Sequence, residues 1–166
     1  MKDRILIIGY GSPIRGDDAI GPLVADRLID SIQSDQIIVH SRHILTAELV
    51  GEVAEAGMVI FLDASIEGEP GTVCCRPLAA DPDASISMAH FLDPRELLAW
   101  VAALYGHTPQ AYLITATGKT FDYAGYQLSD TAEAAVQPMI DWTLKLIDQF
   151  TATAIVGHLT VHAGVK

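Results

Sequence analysis

The sequence predicts an α/β fold, a three-layer sandwich in which a twisted, mostly parallel five-stranded sheet lies between helices on both faces. Short aliphatic runs alternate along the chain with longer stretches whose apolar residues recur every three or four positions. These are the patterns of buried strands and amphipathic helices. In addition, 50% of the 166 residues are hydrophobic, although no apolar run reaches the ~18 residues of a membrane span. Strands covered on both faces explain this excess.

The first half of the chain contains three predicted strands and two predicted helices. Residues 5–9 form an aliphatic run that ends in glycine, and we expect the first buried strand there. A helix over about 18–33 carries its apolar residues on one stripe. A second helix over about 47–56 is expected to begin at a Thr46 cap and to end at Gly57. The other strands of this half are predicted at 37–40 and 58–62.

The second half adds two strands and two helices. Residues 72–76 are predicted to form an edge strand that Pro77 ends, because proline cannot donate to a sheet ladder. The helix that runs to about residue 105 has a strong start signal, with Asp93 as N-cap, Pro94 in the first helical position and Glu96 in the third. The last strand is predicted at 111–117 and the last helix at about 129–150, with a kink or a new start at Pro138.

One domain is expected, because single cores typically contain roughly 100–200 residues. It spans residues 1–150, and residues 151–166 form a tail that is either mobile or packed on the surface. The N-terminus begins a strand directly and lacks an apolar segment as long as a secretory signal. We therefore expect a cytoplasmic protein, in which the adjacent Cys74 and Cys75 are reduced residues of a strand.

Charge and missing motifs disfavour several functions. A net charge of −11 with only 10 Lys and Arg residues argues against nucleic-acid binding, which needs clustered basic residues. Residues 9–14 begin like a dinucleotide fingerprint, but Ile14 stands where the third glycine belongs. No Gly-x-Ser-x-Gly elbow for a hydrolase nucleophile occurs. A phosphoacceptor receiver domain stays open as a non-enzyme alternative, because adjacent acids follow the first strand and an Asp follows the third.

Asp18, Asp63 and His90 form a candidate metal site. Each falls where a predicted element ends and a loop or helix begins. In open α/β sheets ligands bind outside the carboxyl ends of the strands, so these side chains are expected to converge there. Two carboxylates and one imidazole suit a borderline ion such as Ni²⁺ or Zn²⁺.

Each of these residues also has a simpler interpretation. Asp18 could cap the first helix, a contribution of about 1 kcal/mol, and Asp17 is the rival for whichever role Asp18 does not take. Asp63 could begin a turn, and His90 could be an ordinary surface histidine. A generic metallopeptidase with its own metal ion would use the same three residues. Together they favour a metal site more than any one of them alone.

Several segments, taken in order, carry a resemblance to a known family. The most specific is ILIIGYGSPIRGDDAIGPLVADRL at residues 5–28. It is followed by VIFLDA at 59–64, GEPGT at 68–72 and the histidine before the third helix, so that the match covers about residues 5–150. On these residues the chain resembles the nickel–iron hydrogenase maturation endopeptidases.

The resemblance implies an activity and a site. The activity would be removal of the C-terminal extension from a nickel-loaded hydrogenase large-subunit precursor, on a five-stranded α/β fold like that predicted above. Asp18, Asp63 and His90 match the two acids and the histidine with which the family binds metal. Nickel would arrive with the substrate, so no tightly bound cofactor of the protein's own is expected. If nickel serves only recognition, Asp63 is the candidate general base.

The resemblance also implies partners. The expected partner is the hydrogenase large-subunit precursor, with no nucleic acid and no membrane, and the protein itself is expected to be a monomer. Where many members have Asp-Gly-Gly-Thr after the second strand, this chain has His43, Ile44, Leu45 and Thr46. That change resembles the branch that serves bidirectional, NAD-linked hydrogenases. We expect these four residues to lie on the rim of the crevice and to recognise the partner surface.

Overall fold

A computed structural model describes residues 2–84, 92–123 and 127–163 of the chain, with side chains as far as residue 156. The strands are β1 (Ile5–Tyr10), β2 (Ile37–Arg42), β3 (Met58–Ser65), β4 (Val73–Leu78) and β5 (Gln110–Thr117). They form one sheet in the order β2-β1-β3-β5-β4. Strand β4 is antiparallel to β5, whereas the other neighbouring strands are parallel.

Helices cover both faces of this sheet, which confirms the predicted three-layer architecture. One face packs against α1 and α4, and the opposite face packs against α2 and α3. Successive residues of the central strands enter alternate cores: Ile7 and Ile60 face α1 and α4, whereas Ile8 and Phe61 face α2 and α3. The helices are α1 (Ile20–Ser31), α2 (Val50–Glu55), α3 (Pro94–Tyr105) and α4 (Asp130–Ala163).

The strand order places a crevice between the carboxyl ends of β1 and β3. The chain leaves β1 toward β2 on one side of the sheet, and then passes to β3 on the other side of β1. In doubly wound sheets ligands bind at such a topological switch point. The loop that follows β1 and the end of β3 are therefore the places where functional side chains are expected.

The same topology disfavours the receiver-domain alternative. A flavodoxin-like receiver has five parallel strands in the order 2-1-3-4-5. Here β5 lies beside β3, and β4 is the antiparallel edge strand.

Two strands extend further than the sequence pattern predicted. Strand β3 runs to Ser65, so Asp63 lies within the strand and pairs with Thr115 rather than following the strand. Strand β4 is an edge strand, as predicted, but Pro77 lies inside it instead of ending it. A sheet edge tolerates a residue without a backbone N–H, which explains how the strand continues.

The last helix also differs from the prediction. It continues from Asp130 to Ala163, through Pro138 and past residue 150, so residues 151–163 extend the helix and do not form a separate tail. Within the described residues, no helix combines the length and the apolar character needed to cross a membrane.

Candidate active site at the carboxyl edge of the sheet

Asp63 lies in the middle of the sheet at its carboxyl edge. On one side it pairs with Thr115 of β5. On the other side its neighbour is Tyr10 of β1, because the pairing of β1 with β3 ends one residue earlier, at Gly9 and Leu62. Its carboxylate Oδ1 accepts a hydrogen bond of 2.8 Å from the backbone N–H of Ala64. The hydroxyl of Tyr10 donates a second hydrogen bond to the carboxylate. The side chain is thus held in place from both sides.

The surroundings of Asp63 disfavour its ionised form. Burial raises the pKa of Asp63 to about 6, although the hydrogen bonds from Tyr10 and Ala64 act in the opposite direction. The negative charge of Asp18 adds to the increase. Among the described residues, no ion pair involves either carboxylate. A cation at this place would relieve the repulsion between them.

Asp18 approaches Asp63 from the loop between β1 and α1. It lies in a 3₁₀ turn, Gly16–Ala19, and its Oδ2 accepts a hydrogen bond of 2.7 Å from the backbone N–H of Ser12. The loop folds tightly because Gly11 has φ +146°, and a Cβ there would collide with the carbonyl oxygen of Asp18. The Asp18 side chain does not cap α1, so the simpler interpretation as a helix cap is wrong.

Asp17, the neighbour of Asp18, has a structural role. Its side chain is completely buried, at 0% exposure. It accepts hydrogen bonds of 2.7 Å from the backbone N–H of Lys119, 3.1 Å from that of Thr120, and 2.7 Å from both the backbone N–H and the hydroxyl of Ser129. Burial raises its pKa, but the hydrogen bonds together outweigh burial and hold the pKa below its usual value. Asp17 therefore fastens the loop that carries Asp18 to the segment between β5 and α4.

Tyr10 is a site residue that sequence reasoning missed. It ends β1 and packs partly buried on the core beneath α2 and α3. Burial is the largest cause that raises the pKa of its hydroxyl. The charge and the hydrogen bond of Asp63 raise this pKa further, and the charges of Asp93 and Asp18 also contribute. Three carboxylates therefore lie around one phenol. The only signal in the sequence was the position of Tyr10 at the end of the first buried strand.

His90 lies outside the described residues, so the structure does not test it. The described chain resumes at Leu92, whose backbone N–H donates a hydrogen bond of 3.2 Å to the carbonyl of Leu45. Within the described parts of the chain, no three His, Cys, Asp or Glu residues are grouped closely enough to hold a metal ion. The structure thus brings Asp18 and Asp63 together and leaves the third expected ligand as a prediction.

Solved structures with the same architecture are named hydrogenase maturation enzymes. The hydrogenase-maturating endopeptidase HybD of Escherichia coli is 24% identical, with 88% of this chain and 93% of that chain covered and a TM-score of 0.73. The nickel–iron hydrogenase maturation protease HycI of Thermococcus kodakarensis is 24% identical, with 89% of this chain and 94% of that chain covered and a TM-score of 0.69. The hydrogenase 2 maturation peptidase of a Thaumarchaeota archaeon is 26% identical, with 87% of this chain and 98% of that chain covered and a TM-score of 0.67.

The chain has the fold of the hydrogenase maturation proteases. The resemblance to that family predicted from the sequence is thereby confirmed, although these neighbours do not distinguish a branch. No model of a known protein family matches the chain, and no curated protein matches it significantly in sequence.

The segment after β2, residues 43–46, is only partly exposed and therefore only partly available to a partner. His43 and Ile44 are exposed, and Thr46 is half-buried and makes no side-chain cap to the following turn. Leu45 is buried in the core beneath α2 and α3. It therefore anchors the segment and does not contact a partner, contrary to its expected role, whereas His43 and Ile44 keep theirs as a prediction.

A separate cavity of about 720 Å³ opens at the amino end of the sheet, opposite the two carboxylates. It lies between the start of β3, the loop before β5 and the second half of α4, with Lys2 and His107 among its polar residues. Its described lining contains no carboxylate. The chemistry of Asp18 and Asp63 therefore belongs to the shallow carboxyl edge and not to this cavity.

Proposed function

We propose that this protein is an endopeptidase that removes the C-terminal extension of a nickel-loaded nickel–iron hydrogenase large-subunit precursor. The observation that carries the proposal is the pair Asp18 and Asp63. The two carboxylates converge at the switch point of a fold shared with hydrogenase maturation proteases, and no described cation compensates their charge. Such a pair is costly unless a cation is present for part of the working cycle.

In this proposal the cation is the nickel of the substrate. Asp18 and Asp63 supply carboxylate oxygens and His90 supplies an imidazole, a mixed N/O set that suits Ni²⁺. The position of Leu92 supports the assignment of His90, which precedes it by two residues. Leu92 is bonded to Leu45 and packs on the same core as Tyr10. An empty precursor would lack the ion that these ligands recognise, so cleavage would report that nickel insertion is complete.

Where nickel serves only as the recognition element, Asp63 is proposed as the general base. In the protein without nickel, a pKa of about 6 leaves the Asp63 carboxylate largely ionised near neutral pH and still basic enough to accept a proton from water. The water oxygen attacks the scissile carbonyl carbon as its proton passes to Asp63. The proton then moves to the amide nitrogen as the C–N bond breaks, which regenerates the carboxylate. Tyr10 keeps the carboxylate oriented through its hydrogen bond.

The test is incubation with the large-subunit precursor, with and without nickel, and detection of the released C-terminal peptide by mass spectrometry. We expect cleavage of the nickel-loaded precursor only. Asp63→Asn should lower the rate at least about 100-fold, the smaller end of the range for a lost general base. His90→Ala, which removes a proposed nickel ligand, should abolish cleavage.

The matched control is Asp26→Asn, an exposed carboxylate on α1, which should cleave at the wild-type rate. Equal cleavage of the apo precursor, or full activity of Asp63→Asn, would refute the proposal. A generic metallopeptidase would instead retain a metal ion of its own after purification.

A further inference from the structure

Among the described residues, each of the four loops that follow a parallel strand exposes one large apolar side chain. These are Ile14 after β1, 39% exposed, Ile44 after β2, 40%, Ile66 after β3, 81%, and Tyr123 after β5, 78%. Single exposed apolar residues are ordinary on protein surfaces. Four of them in four different loops lie at the edge that carries the two carboxylates, and this makes the edge a candidate interaction surface. We call these four residues the apolar rim.

The loops that carry Ile14 and Ile44 are fixed by hydrogen bonds. Beside Ile14, the backbone N–H of Arg15 donates to the carbonyl of Ser12 at 3.3 Å, and Ser12 donates to Asp18. Ile44 is followed directly by the buried Leu45, which is bonded to Leu92. Both apolar side chains are therefore presented from backbone that is already ordered.

The loops of Ile66 and Tyr123 are also fastened. The hydroxyl of Ser65 accepts a hydrogen bond of 3.1 Å from the N–H of Glu67, whose carbonyl accepts one of 2.8 Å from the hydroxyl of Thr117. These bonds hold the residues on both sides of Ile66. The segment that leads to Tyr123 is held at residues 119 and 120 by Asp17. A preformed surface loses less conformational entropy on binding, so it binds more tightly than a mobile one of equal area.

We propose that the apolar rim is the docking surface for the hydrogenase large-subunit precursor. This inference rests on the proposed function and names the surface that reads the substrate protein. The rim lies at the same edge of the sheet as an acidic centre, Asp18 and Asp63, in a chain of net charge −11. The complementary partner presents a cation to the carboxylates and apolar side chains to the rim, and the nickel-loaded precursor of the proposed function supplies that cation.

The apolar rim would also help to exclude water from the two carboxylates when a partner is bound. Apolar contacts around a polar centre exclude water from that centre, as the outer ring of an interface does around its hot spot. Exclusion of water strengthens the attraction between the carboxylates and the cation. The rim contacts the partner before and during cleavage alike, so its loss should weaken binding and leave the chemical step unchanged.

The experiment measures kcat and KM for cleavage of the nickel-loaded precursor by rim variants. The double variant Ile66→Ser/Tyr123→Ser and the single variant Ile44→Ser remove the most accessible rim side chains. We expect the double variant to raise KM at least about tenfold and Ile44→Ser to raise it about threefold, with kcat within about twofold of wild type. The thermal midpoint should be unchanged, because these side chains are exposed.

Two control variants replace exposed apolar residues that lie outside the rim. They are Ile29→Ser on α1, where Ile29 is 47% exposed, and Leu104→Ser on α3, where Leu104 is 65% exposed. Both should keep the wild-type KM. If the wild type cleaves and the rim variants also keep its KM, the rim inference fails while the proposed function stands. If the wild type does not cleave a nickel-loaded precursor at all, the proposed function fails and the rim inference with it.

Discussion

Asp17 is a buried acid and Asp63 a partly buried one, and hydrogen bonding acts differently on the two carboxylates. Asp17 receives four hydrogen bonds from three residues, which favour its carboxylate form. Asp63 receives two from the described residues, those of Ala64 and Tyr10, and burial outweighs them. The first arrangement stabilises the fold. The second has a cost in stability, a trade-off that is common at functional sites.

The cost of Asp63 can be measured as a function of pH. Its pKa is raised from 3.8 to about 6 in the folded state, so between these values the folded state binds more protons and stability falls as pH rises. Such a difference corresponds to about 3 kcal/mol at most. We expect Asp63→Asn to be about 1–3 kcal/mol more stable than wild type at pH 8, with the gap closing toward pH 4. Urea unfolding at both pH values tests this, and a gap of equal size at both would contradict it.

Asp17 predicts the opposite pH dependence. Its folded-state pKa is lowered below 3.8, so its contribution is fully present above that value and is lost as pH falls through the lower, folded value. Asp17→Asn replaces an acceptor oxygen with an N–H₂ group facing donors, and we expect a loss of about 2–4 kcal/mol at pH 7. The loss should shrink below pH 3.8. Asp26→Asn, on the exposed side of α1, should change stability by less than about 0.5 kcal/mol.

At the scale of single elements, α3 and α4 show what local sequence can and cannot predict. The start of α3 was predicted because its signal lies within four residues: Glu96 N–H donates to Asp93 Oδ1 at 2.9 Å, and Asp93 N–H donates to Glu96 Oε2 at 3.1 Å. The continuation of α4 beyond residue 150 was missed, because threonine normally favours helix ends over helix interiors. Here Thr151 and Thr153 donate their hydroxyls to carbonyls four residues back, at 2.8 and 2.9 Å, and so fit into the helix.

The capping box of α3 gives a prediction at this scale. Asp93→Ala removes the side-chain acceptor for Glu96 N–H, and we expect the free energy of unfolding to fall by about 1 kcal/mol. Asp93→Asn, which keeps an acceptor oxygen, should lose less. Urea unfolding at pH 7 measures both, and equal losses for the two variants would show that the cap does not contribute as described.

At the scale of the whole molecule, the layers and the functional edge could be predicted, whereas the partners of individual residues could not. Hydrophobic periodicity indicates which elements are buried, and parallel strands end at one edge, so Asp18 and Asp63 could be expected there. The antiparallel pairing of β4 with β5 depends on long-range contacts that no local pattern records. The same holds for Asp17, whose partners begin at Lys119, 102 residues away in the chain.

The length of α4 has a practical consequence. The helix contains 34 residues and is therefore about 50 Å long. Its first turn lies beside Ser129 and Asp17, and Phe150 lies at the amino end of the sheet. A fluorophore or an affinity handle attached at the end of this helix would sit on the far side of the molecule from the carboxylates, so the protein could be immobilised there with its carboxyl edge facing solution.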